Sequence, residues 1–122
     1  MCARISLEVD PTLVAARVVR QKIAAQIPLP AAITAMVKVV ASELVNNAVL
    51  HGRPPIEVVV ELEESIVRFE VRDADPHMCL PTPDSRGLSI IAHFSTDWGI
   101  ARDGSDGKSV WAEMSASDFT AS

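Results

Sequence analysis

The sequence predicts an α+β two-layer sandwich, a mostly antiparallel sheet with helices on one face. Three observations predict it. Apolar periodicity changes along the chain in the order strand, two helices, two strands, helix, two strands. The 122 residues suffice for one core and not for two, so a single domain spanning 1–122 is expected. Apolar residues make up 48% of the chain, which excludes disorder, and with 4% aromatics and no Tyr the core has to be aliphatic.

Each element has its own signal. Ala3 to Val9 alternates, with Ile5, Leu7 and Val9 on one face and Arg4, Ser6 and Glu8 on the other, which predicts a strand. Asp10 and Pro11 then predict a helix start, Asp as cap and Pro at the first position. Its apolar residues Leu13, Val14, Ala16, Val18 and Ile23 carry it to about Gln26. A long helix restarts at Leu29-Pro30 and ends near Gly52, where Arg53-Pro54-Pro55 stops it. Ile56–Glu63 and Ile66–Asp73 both alternate and are joined by Glu64-Ser65, a hairpin pattern. The stretch 75–85 holds three prolines and reads as a loop, and Ser85 is placed to cap a short helix, Arg86–Phe94. Strands near Thr96–Ala101 and Ser109–Met114 follow, separated by a turn at Gly104-Ser105-Asp106-Gly107.

Charge and composition exclude several classes of function. A net charge of −5 argues against nucleic acid as the main partner, because phosphate backbones require a basic face. No apolar run reads as long enough for a membrane span, and the start of the chain lacks the charged-then-apolar layout of a signal peptide. Cys2 and Cys79 have no paired spacing for a metal and read as free thiols, so a cytoplasmic location is expected.

The most informative segment is Ala41–Gly52, ASELVNNAVLHG. At about 100° per residue, Glu43, Asn47 and His51 fall on one helical stripe, which Met36, Val39 and Val40 occupy further upstream. Ordinary core thus turns into carboxylate, amide and imidazole. An unpaired buried polar group costs about 1–3 kcal/mol, so such a helix needs partners for these groups, and a metal ion or polar ligand is one kind.

Two further signals follow. In Ile66–Asp73, Asp73 continues the apolar face of Val67, Phe69 and Val71, while Arg68, Glu70 and Arg72 face solvent. A carboxylate ending an apolar strand face can accept from an exocyclic amine such as that of adenine; equally, it can cap the next turn. Ser85-Arg86-Gly87-Leu88 opens the short helix, whose N-terminus offers free N–H groups to phosphate, Gly87 allowing close approach and Arg86 a fixed charge. Taken alone, that pattern is also how most small helices begin.

The ordered combination resembles the GHKL (histidine-kinase-like) ATP-binding fold, and within it the small bacterial anti-sigma serine kinases. Their helix motif Glu-Leu-Val-x-Asn-Ala-x-x-His is matched by Glu43, Leu44, Val45, Asn47, Ala48 and His51. Val71-Arg72-Asp73 matches the strand-end motif and Arg86-Gly87-Leu88 the later Arg-Gly-Leu. Trp98-Gly99 and Gly107 to Glu113 look like actinobacterial members of the group, so the resemblance covers essentially the whole chain.

The resemblance implies roles. Asn47 would hold Mg²⁺ bridging the ATP phosphates, and Glu43 would be the general base toward a serine hydroxyl. Asp73 would read the adenine amine, and Arg86, Gly87, Leu88 and Ser109 would contribute to binding the nucleotide. His51 would hold the helix end, and Asn46 would be a solvated neighbour. The implied function is an ATP-binding serine/threonine kinase of anti-sigma type that regulates transcription by partner switching. The implied partners are ATP and ADP, an anti-anti-sigma (STAS-type) protein and a sigma factor, with room for a homodimer. The departures point to an alternative, a module that sequesters a regulator without transferring phosphate. Asp73-Ala74-Asp75-Pro76-His77 lacks both glycines of the family's Asp-x-Gly-x-Gly, and the segment up to Arg86 is short for a lid and holds three prolines. Ser85 stands where a glycine is common, and Lys108 stands where histidine kinases and chaperones have Thr. Such changes leave adenine binding in place and count against tight phosphate enclosure and fast transfer.

Overall fold

The computed structural model describes residues 2–75, 86–102 and 107–115. The elements are β1 (Cys2–Val9), α1 (Ala15–Gln26), α2 (Ala31–His51), β2 (Ile56–Glu63), β3 (Ile66–Asp73), α3 (Arg86–Phe94), β4 (Asp97–Arg102) and β5 (Lys108–Ser115). The five strands form one sheet in the order β1-β2-β3-β5-β4, with every neighbouring pair antiparallel. The α+β sandwich expected from the periodicities is therefore the fold. The expected loop over 75–85, the Ser85 cap, Cys79 and most of the 104–107 turn lie outside the described residues.

Alternation assigns the two faces of the sheet. Val58, Val60, Leu62, Val67, Phe69, Val71, Val110, Ala112 and Met114 are buried on the inner face. The helices cover that face: α2 packs on β2, β3 and β5, with α1 on one flank and α3 on the other. The outer face carries charge in pairs. Arg4 meets Glu61, Arg68 meets Glu113, and Arg72 meets both Glu57 and Glu70. The hydrogen bond and charge of Glu70, helped by Glu57, hold the Arg72 guanidinium even further above the usual arginine range. The Arg68 guanidinium also lies 4.6 Å from the centre of the Trp111 ring, a cation–π contact. In the β2–β3 hairpin Glu64 takes φ 56°, the left-handed conformation that two-residue connections require.

Two expectations are corrected. Asp10 does not cap α1, and Pro11 is not its first residue. The amide of Thr12 donates to the Asp10 carbonyl and that of Ala15 to the Thr12 carbonyl, so residues 11–14 form a turn and the helix begins at Ala15. The later start shifts the buried stripe to Ala15, Ala16, Val19 and Ile23, leaving Leu13 89% exposed and Val14 and Val18 also outside the core. The second correction concerns membrane-length runs. Ala31–His51 is long and apolar enough to cross a membrane by length and composition, with a mean hydropathy of 1.4. In this fold it is the central core helix, burying Ile33, Val37, Val40, Leu44 and Ala48 against the sheet and the flanking helices. A helix covered on several sides is apolar on more than one face, which is why its composition resembles a membrane span.

Candidate nucleotide-binding site

The polar end of α2 is the first part of the site. The core-facing line of the helix runs through Ile33, Val37, Val40, Leu44 and Ala48, so Glu43 and Asn47 sit at its edge. Glu43 is half-buried, Asn47 is buried and Asn46 is exposed. The stripe breaks at His51, which is exposed: it is the last helical residue, with no further turn to cover it. Of the upstream residues expected on this stripe, Val40 is buried, Met36 is partly covered and Val39 is exposed. The Asn47 side-chain amide Nδ2 is buried and has no hydrogen-bond partner among the described residues. Such an orphaned donor is costly and calls for a ligand oxygen.

That orphan also tests the fit of Mg²⁺. A half-turn of the amide exchanges its nitrogen and oxygen without changing its shape, so the position suits either a phosphate oxygen or a hard cation. Among the described residues no cluster of three or more His, Cys, Asp or Glu is placed to hold a metal. Mg²⁺ beside a nucleotide needs no such cluster, since it binds through one or two protein oxygens plus phosphates and water. The residues present fit the ion on those terms.

The second part is Asp73, which ends β3 on the inner face. Its side chain is 1% exposed and accepts at Oδ1 from Lys108 Nζ at 3.1 Å and from the Asp75 amide at 2.8 Å. The amide bond is the turn-capping geometry of a strand-end Asp, so the simpler reading of this residue is realised. Its Oδ2 lies against Gly52, where a Cβ would stand 2.6 Å from Asp73 Cγ and Oδ2. Only a glycine at the end of α2 lets this carboxylate in. Another backbone tie, the Ala74 amide to the Arg53 carbonyl at 2.9 Å, fastens the β3 exit to the same corner.

Lys108 is the residue whose importance the sequence understated. Strand register pairs Asp73 with Lys108 on the inner face, and the Lys108 side chain is 2% exposed, with the Asp75 carboxylate 4.0 Å from its ammonium. The available signal was the pairing of two inward positions on adjacent strands. Register places Ser109 opposite Arg72, on the outer face and away from Asp73, where it is buried. Gly107 packs so tightly on the Asp73 carbonyl that a Cβ would overlap it.

Arg86, Gly87 and Leu88 form the first turn of α3, as expected; their side chains lie outside the described part. The fold thus brings the C-terminal half of α2 and the end of β3 to one corner, with α3 packed against α2. A cleft also opens at this end of the sheet, where Asp73, Ala74 and Gly107 of this corner meet Glu8, Glu57 and Arg72 of the outer face. The carboxylates and an arginine already paired make that cleft a poor place for phosphate.

The histidine kinase-like ATPase domain model matches residues 5–114, and the chain belongs to that family. Membership implies ATP as the ligand. A search of the curated proteins finds no match. Among solved structures the chain is similar to the crystal structure of the RsbU and RsbW domains of Rv1364c from Mycobacterium tuberculosis. The TM-score is 0.71 at 25% identity, over 92% of this chain and 31% of that one. The chain thus spans about a third of the length of that neighbour. Both findings bear out the resemblance to the histidine-kinase-like ATP-binding fold read from the motifs.

Proposed function

We propose that the chain is a single ATP- and Mg²⁺-binding domain that acts as a serine kinase of the anti-sigma type, in the cytoplasm, on an anti-anti-sigma (STAS-type) partner. The observation that carries this reading is the polar end of α2, where Glu43 is half-buried and Asn47 carries an orphaned buried amide. Asn47 would hold the ion on the phosphates, and the ion would neutralise charge on the transferred group. Glu43, one turn earlier on the same edge, would take the proton of the attacking serine. Asp73 would face the base, and the first turn of α3 the phosphates.

A second reading, a regulator-binding module without phosphoryl transfer, is favoured by one observation: the Asp73 carboxylate is already engaged by Lys108. One experiment separates the two. Purified protein, labelled ATP and the STAS-type partner are incubated with wild type and with Glu43→Gln, which keeps size and shape. General-base help is worth roughly 10²–10⁴-fold in rate, so the variant should bind ATP normally and transfer phosphate more slowly by about that factor. Capture of the partner by both proteins with no phosphoserine from either would establish the module instead.

A further inference from the structure

We propose that Lys108 sets the nucleobase affinity of this chain, its ammonium holding the hydrogen-bonding position on Asp73 that a ligand's exocyclic amine has to take. The inference rests on the reading that Asp73 faces the base. Its grounds are geometric. A carboxylate offers about four lone-pair sites on two oxygens. Here Oδ1 is shared between Lys108 Nζ and the Asp75 amide, and Oδ2 is packed against Gly52. The side chains of the ion pair are 1% and 2% exposed, so an amine approaching Oδ1 meets an oxygen that already accepts from two donors.

Charge explains why this arrangement is stable. Asp73 lies against the C-terminal end of α2, where the helix dipole is negative and a second negative charge is unfavourable. Lys108 answers both. A purine amine is neutral: its bond to the carboxylate is charge-assisted on one side only, and it lacks the direct Coulomb attraction that the buried ammonium adds. Replacing the ammonium by the amine therefore exchanges a stronger bond for a weaker one and strands a buried cation. Adenine is admitted only when Lys108 withdraws toward Asp75, 4.0 Å away, and the affinity is lowered by the cost of that withdrawal.

Shortening the side chain tests this. Lys108→Thr removes the competing cation and leaves a hydroxyl able to donate to Asp73. Adenosine titrations by calorimetry compare wild type, Lys108→Thr and the uncharged double variant Asp73→Asn/Lys108→Met, each checked for folding by circular dichroism. Lys108→Thr should bind adenosine roughly ten- to hundredfold more tightly than wild type, and the double variant should bind more weakly than Lys108→Thr. Equal affinity of wild type and Lys108→Thr, with weaker binding by the double variant, overturns the role of Lys108 and leaves Asp73 as the base reader. Absence of binding by all three folded proteins overturns the reading of the site itself. Should Lys108→Thr fail to fold, the wild type decides: the side-chain ¹⁵N signal of Lys108 should shift when adenosine saturates the protein. A signal unmoved at saturation overturns the inference.

Discussion

A carboxylate shut away from water at the end of a strand needs donors, and Asp73 has two, the Lys108 ammonium and the Asp75 amide. Removing one partner of a buried charge pair leaves the other uncompensated, at a cost of about 3–5 kcal/mol. Asp73→Ala should therefore destabilise the fold by that amount in urea unfolding, far more than loss of any pair on the outer sheet face. Asn47 makes the opposite case, a buried amide nitrogen with no hydrogen-bond partner among the described residues. A ligand that supplies the missing contact should reveal itself through the ion: Asn47→Ala should erase most of the gain in ATP affinity that Mg²⁺ confers, and adenosine binding without metal should stay nearly unchanged. Calorimetry with and without Mg²⁺ measures both. The side-chain types at these positions were legible from the sequence. Their partners were not, because the Asp73–Lys108 pair is made across 35 positions of chain by strand register, which periodicity alone does not reveal.

Among the elements, α2 organises the molecule and the corner where the site lies. Its bounds were readable, since Pro30 and Gly52 bracket a long apolar pattern, and the observed helix runs from Ala31 to His51. The start of α1 was not readable, because a turn closed through the Asp10 and Thr12 carbonyls displaced the expected Asp-Pro start. Gly52 shows how one element constrains another. A Cβ there would stand 2.6 Å from the Asp73 carboxylate and 2.7 Å from the Ala48 carbonyl oxygen. Gly52→Ala should lower the melting temperature and weaken nucleotide binding together, whereas a change on the exposed face of α1 would move neither. Within the sheet, Phe69 is fully buried beneath the helices, and Phe69→Ala should cost about 3–5 kcal/mol in denaturant unfolding.

At the scale of the molecule, an aliphatic core between the antiparallel sheet and the helices α1, α2 and α3 provides the rigid frame on which the α2 edge and the β3 end meet. The order of elements, the two faces of the sheet and the family were all legible, because alternation and helical periodicity run uninterrupted through most elements. Exposed ion pairs such as those on the outer face typically contribute only about 0–1 kcal/mol each, so the frame rests on burial. On the proposed function, this frame presents an ATP site in which Mg²⁺ acts beside Asn47. Its most direct test is calorimetric titration of the wild-type chain with ATP, with and without Mg²⁺. The expected result is saturable binding at one site, tighter with the ion present. Saturable binding that magnesium leaves unchanged, or no binding up to millimolar ATP by a folded protein, would contradict it.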